Sequence, residues 1–144
     1  MGIINQLLEI KNFKETLGNS LVIEDVRIQI NCMIIKKLLS KYYKKKINFK
    51  KPNDLIIKKK KICGILQEII HYGAKTYLIV GVGINTNIST VIKNYKVTSL
   101  NNVLNKKIDN SKLLRETKKK YEKFIQQIEK NNFTELKRKI LKLK

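Results

Sequence analysis

Apolar and polar positions along the chain follow two different periods. Gly2 to Ile10 is apolar with polar interruptions (Ile3, Ile4, Leu7, Leu8, Ile10), a pattern that predicts a strand. Residues 11–19 are polar and contain Gly18-Asn19, a loop signal. The period then changes. Val22, Val26, Ile30, Ile34 and Leu38 recur at helical spacing, and Ile23 and Met33 widen the stripe, so an amphipathic helix is predicted to about Leu39. Ser20 stands at its N-cap position, and Glu24 and Asp25 lie in the early turns, where acids suit the helix dipole.

Residues 41–46 (KYYKKK) read as a solvated basic connector. Ile47-Asn48-Phe49 alternates into Lys50-Lys51-Pro52-Asn53-Asp54, where the single proline ends or bends any strand. Leu55 to Ile57 is predicted as a short strand, Lys58 to Lys60 as a turn, and Ile62 to Ile70 as a longer strand containing Gly64. His71 to Ala74 is a turn. Thr76 to Ile84 reads as a central strand, rich in β-branched residues and apolar on both faces. Thr98-Ser99 opens a short helix through Leu104. Asn110 or Ser111 caps a longer helix with Leu114, Thr117, Tyr121, Phe124, Ile125 and Ile128 on one face. Asn131-Asn132 breaks it, and Phe133, Leu136 and Ile140 line a final helix. The order helix, consecutive strands, helices predicts an α+β fold, with a mixed or antiparallel sheet and helices packed on it.

With 144 residues the chain is the size of one domain, 1–144. A mean hydropathy of −0.30 fits a soluble globular protein. No apolar run approaches the ~18–20 residues of a membrane helix. Glu9 and the lack of a basic region before an apolar stretch argue against a signal peptide, so a cytoplasmic protein with no membrane partner is expected. Gln6 stands where a myristoylation motif needs Ser or Thr. Cys32 and Cys63 sit in apolar segments without metal-ligand spacing, and read as buried free thiols. The net charge is +21, but the arginines are only Arg27, Arg115 and Arg138, and Asn and Ile are abundant too. That mixture suggests A/T-rich coding. Nonspecific binding to nucleic acid follows from such charge, whereas dedicated recognition more often uses Arg forks and aromatic platforms.

Three stretches carry candidate chemistry. In Lys50 to Leu55 a proline-fixed turn presents Asn53 and Asp54 at the mouth of a strand, which suits a metal–phosphate or ribose group. A turn without function is the commoner reading of such a segment. Lys61-Ile62-Cys63-Gly64-Ile65-Leu66 places Lys61 at the start of an apolar strand and lets a ligand approach the backbone at Gly64. Taken alone, this too is more often a surface lysine and a bulge glycine. Gly81-Val82-Gly83-Ile84-Asn85-Thr86-Asn87 invites a dinucleotide-binding reading, but Thr86 replaces the third glycine, no helix pattern follows and no acid stands about 20 residues on. The glycines fit better as room beside a ligand, with Asn85 offering an amide. His71 has no Ser or Cys partner that would make a triad.

In this order and spacing the three stretches resemble the biotin–protein ligases. That family carries Lys-Trp-Pro-Asn-Asp, then Lys-x-x-Gly-Ile-Leu, then Gly-x-Gly-Ile-Asn, matched here by Lys50 to Asp54, Lys61 to Leu66 and Gly81 to Asn85. The resemblance implies the fold shared with class II aminoacyl-tRNA synthetases. It implies that biotin is activated with ATP to biotinyl-adenylate and passed to a lysine of a carboxylase's biotin carboxyl carrier domain. It assigns catalysis and biotin contact to Lys61, biotin contact also to Gly64 and Ile65, the nucleotide to Asn53, Asp54 and Asn85, and Mg²⁺ to Asp54. Three departures stand out. Lys51 replaces the family's Trp, and the family's Gly-Arg-Gly-Arg loop and a C-terminal β-barrel are not found in the sequence. The chain is therefore expected to be a partial catalytic domain, weak or inactive alone, completed by an N-terminal fragment or paired as a homodimer. A noncatalytic binding module and a basic nucleic-acid binder are the other readings.

Overall fold

The computed structural model describes residues 2–9, 22–89, 91, 93–130 and 138. Strand β1 (Gly2–Glu9) is followed by helix α1 (Val22–Leu39) and by strands β2 (Asn48–Lys50), β3 (Asp54–Ile57), β4 (Lys60–Tyr72) and β5 (Lys75–Ile84). Helices α2 (Leu100–Leu104) and α3 (Asn110–Lys130) follow. The Ser20 cap, the loop over 11–19 and the final helix with Phe133, Leu136 and Ile140 lie outside the described residues.

Among the described residues the strands form one sheet in the order β1-β5-β4-β3-β2. Every adjacent pair is antiparallel, which settles the choice between a mixed and an antiparallel sheet. Two-residue turns join its long strands. Gly73, at φ 59°, supplies the left-handed position between β4 and β5, where a side chain would be strained. Lys58 and Lys59 take the same region, at φ 49° and 63°, between β3 and β4.

Successive residues of a strand point to opposite faces. Cys63 pairs with Ile84 and Ile65 with Val82, and all four are buried on the face that α1 covers. Ile35, Leu38 and Leu39 of α1 are fully buried in this core, which also takes Leu55 and Ile57 from β3. The other face carries Gly64 opposite Gly83 and Leu66 opposite Gly81. Strand β5, read as apolar on both faces, is buried on one of them: among its described residues Leu78, Val80, Val82 and Ile84 are buried, while Tyr77 and Ile79 on the second face are half-buried.

Helix α3 turns inward the expected Thr117, Tyr121, Phe124 and Ile125, and departs from the expected stripe at its first turn. Leu113 is buried and Leu114 is 48% exposed, so the inward face runs Leu113, Thr117, Tyr121, Phe124. Its cap also sits earlier than expected: the Asp109 carboxylate accepts from the Lys112 backbone N–H at 3.0 Å. In the basic connector Tyr43 is buried in the core, because its ring packs inward while the lysines stay in water. Tyr42 reaches α3, donating to Glu116 Oε2 at 2.6 Å, and burial together with that hydrogen bond raises its pKa.

A buried polar chain ties three elements together. Tyr121 of α3 donates to Asn31 Oδ1 of α1 at 3.0 Å, and Asn31 Nδ2 donates to Gln67 Oε1 of β4 at 3.1 Å. Replacing Tyr121 by Phe leaves the Asn31 oxygen without its tyrosine donor in the core. Urea unfolding of Tyr121→Phe should show a loss of about 1–3 kcal/mol.

Both cysteines are free and buried, as their apolar surroundings suggested. Burial, with a smaller contribution from Asp54, pushes the Cys32 thiol up to about 12. Burial raises Cys63 as well, helped by Cys32 and Asp54 and opposed by Lys61. Both thiols are therefore neutral in the folded protein near pH 8. Because the unfolded thiols ionise at lower pH, their contribution to stability is complete below about pH 9 and is lost as pH rises toward 12. Iodoacetamide at pH 8 should leave both unmodified in the native protein and label both after unfolding, as read by mass spectrometry.

Candidate active site

The three stretches singled out in the sequence meet on the second face of the sheet. Asp54 pairs with Gly64, and Gly64 with Gly83, so the three stand in a row across β3, β4 and β5. Two of them have no side chain, which leaves a floor of bare backbone between strands. Leu66, 72% exposed, lies beside this floor opposite Gly81.

A bulge brings Lys61 to the same face. The β3–β4 register shifts between Leu55 and Ile56, so Ile62 has no Cα partner on β3. Without that extra residue, Lys61 would follow the alternation of Cys63 and Ile65 into the helix-covered core. Instead Ile62 is fully buried and the Lys61 side chain lies across Gly64. A Cβ built on Gly64 would stand 3.0 Å from Lys61 Cε and Nζ and 3.4 Å from Asp54 Oδ1. In this structure, then, the space over Gly64 that the sequence assigned to a ligand holds the end of Lys61.

The Lys61 ammonium is 2.8 Å from Asp54 Oδ1, with 27% of the lysine side chain and 12% of the aspartate side chain exposed. That contact is ionic: Oδ1 is buried and accepts no well-directed hydrogen bond. Asp54 Oδ2 accepts from Tyr95 Oη at 2.8 Å, and Tyr95 Oη accepts from Lys50 Nζ at 2.7 Å. The Tyr95 ring lies under both ammoniums, 4.1 Å from Lys50 Nζ and 5.6 Å from Lys61 Nζ. One carboxylate thus faces two lysines, and the site carries a surplus of positive charge.

Tyr95 escaped the sequence reading. It lies between β5 and α2, in a stretch without a helix or strand period. Only long-range pairing places it. The Lys61 N–H donates to Lys96 O at 2.8 Å, and the Thr98 N–H donates to Lys61 O at 2.9 Å, forming a parallel bridge between Lys61 and Val97.

The remaining site residues act on the backbone. Asn53 Nδ2 donates to Ile65 O at 2.8 Å, and the Ile65 N–H donates to Asn53 O at 3.0 Å. This double clamp fixes the turn before Asp54 against β4. The Ile65 side chain itself is fully buried in the core. Asn85 is buried, and its Nδ2 donates to Thr98 O at 3.0 Å, with a longer 3.5 Å contact to Lys61 O. Its own N–H donates to Ile62 O at 2.9 Å, and its carbonyl accepts from the Leu100 N–H at 2.9 Å. Lys61, Asp54 and Gly64 are therefore in contact, Asn53 holds their frame from one side and Asn85 from the other. His71 is exposed near the far end of β4, opposite Thr76. Gly81 to Ile84 close an antiparallel strand, without the strand-to-helix turn of a dinucleotide fold.

The family model described as "Biotin/lipoate A/B protein ligase family" matches residues 8–85, more than half of the chain. This protein belongs to that family. No curated protein sequence matches it. Among solved structures, it is similar to a mutant biotin protein ligase from Aquifex aeolicus in complex with biotin, at TM-score 0.72 and 24% identity, over 96% of this chain and 55% of that one. The apo ligase from the same organism matches at TM-score 0.69 and 25% identity, over 96% and 58%. A lipoate complex of a P. falciparum protein matches at TM-score 0.53 and 17% identity, over 87% and 34%. The chain spans little more than half the length of the Aquifex biotin ligases it matches. As a ligase-family chain with this fold, it has the antiparallel α+β architecture expected from its sequence.

The Asn85 amide carries a stability prediction. Asn85→Ala removes the donor to the Thr98 carbonyl, a bond buried between the end of β5 and α2. Chemical denaturation should show a loss of about 1–3 kcal/mol.

Proposed function

We propose that this chain is the part of a biotin–protein ligase that activates biotin with ATP and transfers it to a lysine of a carboxyl carrier domain. The observation that carries the reading is the row Asp54–Gly64–Gly83, with the Lys61 ammonium lying across it. A ligand whose apolar alkyl chain ends in a carboxylate suits a bare backbone floor flanked by exposed Leu66 and closed by a cation. The Pro52-Asn53-Asp54 and Gly81-Val82-Gly83-Ile84-Asn85 sequences favour biotin over lipoate within the family.

In the first step the biotin carboxylate attacks the α-phosphorus of ATP. A C(O)–O–P bond forms, the bond to the bridging oxygen breaks, and pyrophosphate leaves with its electrons. Negative charge grows on the α-phosphoryl oxygens, and Lys61 is the fixed cation that stabilises it. Lys61 must first exchange Asp54 for the ligand, a swap that leaves it paired throughout. In the second step an acceptor lysine amine attacks the acyl carbon, AMP leaves, and an amide results. Asp54 fits a Mg²⁺ that arrives with the nucleotide, because such an ion needs only one or two carboxylates and Oδ1 lacks a directed hydrogen-bond donor. Mg²⁺ would neutralise phosphate charge. Asn53 would keep the Asp54 turn in register with β4.

The test mixes the purified chain with biotin, ATP-Mg and a carrier domain, and follows biotinyl-adenylate and labelled carrier. Lys61→Ala should lower adenylate formation by about 100-fold or more, a loss on the scale of removing a charge-stabilising group from a transition state. Equal rates in the variant, or lipoate used in preference to biotin, would overturn the assignment.

A further inference from the structure

A cavity of about 270 Å³ opens between the β3–β4 turn, the segment Val97–Thr98 and helix α2. Its walls are apolar at Ile57, Val97 and Val103, and its polar groups are Lys58, Lys60, Thr98 and Asn102, with no carboxylate among the lining residues. The bulge at Ile62 sends Lys61 to the glycine floor and leaves Lys60 opposite Ile57, on the strand pair that borders this cavity.

The turn is unusual in what occupies it. Lys58 and Lys59 both take the left-handed backbone region, which a two-residue hairpin normally gives to Asn or Gly. Asn, also frequent in this chain, fits that backbone better than lysine. Three like charges in sequence also repel one another. Among the described residues no ion pair or hydrogen bond from the side chains of Lys58, Lys59 or Lys60 offsets that repulsion. Backbone strain and unpaired charge thus coincide at the rim of a cavity that lacks an acid.

We propose that this cavity is an oxyanion site that holds a phosphate or diphosphate group between the Lys58 and Lys60 ammoniums, with Thr98 and Asn102 as hydrogen-bonding partners. Taking roughly 30 Å³ per water, the space holds a small hydrated oxyanion. Either free phosphate or the phosphate end of a nucleotide could supply that chemistry. The site is separate from the Lys61 floor and stands whether or not biotin is the substrate there.

Titration calorimetry of the full chain with pyrophosphate, at a salt concentration of about 150 mM where loose surface attraction is screened, tests the site. Wild type is expected to bind, and the double variant Lys58→Asn with Lys60→Asn to bind at least tenfold more weakly. Its melting temperature should hold or rise, because Asn relieves the strained turn. A control pair on exposed α3 lysines, Lys112→Asn with Lys119→Asn, should keep pyrophosphate affinity within twofold. No binding by wild type overturns the proposal. So does a turn variant that binds as tightly as wild type, or equal loss through the α3 pair. Parallel titrations with ATP separate the two sources: a tenfold loss of ATP affinity in the turn variant marks a nucleotide's phosphates, and retained ATP affinity marks the free ion. A chain that binds pyrophosphate here but uses lipoate in preference to biotin keeps this inference and loses the biotin assignment; one that forms biotinyl-adenylate through Lys61 but shows no turn-dependent pyrophosphate binding does the opposite.

Discussion

One extra residue in β4 decides what the second face of the sheet can do. Strict alternation would send Lys61 into the apolar layer with Cys63 and Ile65, where an ammonium without partners is costly to hold. The bulge at Ile62 places an isoleucine in that layer and turns the lysine out across Gly64. A bulge also breaks the ladder, so its neighbours need other hydrogen-bond partners. Here they come from outside the regular strands. Asn85 caps Ile62, and Lys96 and Thr98 bracket Lys61. The Asn85 side chain then ties Thr98 back to the end of β5. Lys61 is thus fixed through its own backbone before its side chain meets any ligand.

Such fixation matters because the ammonium sits in partial shelter. A lysine on a free surface samples many rotamers and its charge is screened, whereas Lys61 is confined by the Gly64 backbone, the Asp54 carboxylate and the Tyr95 ring. Gly64 is needed on this account less for the ligand than for the lysine. A side chain there would push on Cε and Nζ, so the glycine sets how closely the cation can lie along the floor. Asn53 plays the matching part for Asp54 by clamping the turn to Ile65, a residue whose side chain is committed to the core. Core packing and site geometry are therefore joined through one backbone segment, Gly64–Ile65.

Much of this was legible in the sequence, and the limits have physical causes. The periods of β4 and β5 announced themselves because each buries one side in a single core, whereas α1, expected to be amphipathic, is buried all round over residues 30–35. Helix α3 and its stripe were foreseen except at the first turn, where Leu113 and Leu114 are chemically equal and only packing in the core chooses between them. Tyr43 was hidden inside a lysine run whose composition reads as solvated. The choice of Lys61 among four consecutive lysines rested on the apolar strand that follows, whereas the bulge that aims it leaves no mark in the residue pattern. Tyr95 is the clearest omission. Its role depends on a strand-like segment 45 residues from Lys50, and local periodicity carries no information about such pairing.

Tyr95 also shows why the site cannot be read from its three motifs alone. Asp54 has two oxygens and at least three claims on it: Lys61, the Tyr95 hydroxyl, and in the proposed reaction a cation bound to the nucleotide. Tyr95 takes Oδ2 and in turn accepts from Lys50, so the second lysine reaches the carboxylate only through the phenol. That arrangement leaves Oδ1 as the exchangeable position. When an anionic ligand draws Lys61 away, Oδ1 becomes free while Oδ2 stays anchored, and the carboxylate keeps its orientation through the exchange. The phenol is thus what separates the fixed oxygen of Asp54 from the one that can change partners, and a carboxylate held at both oxygens by lysines would lack that distinction.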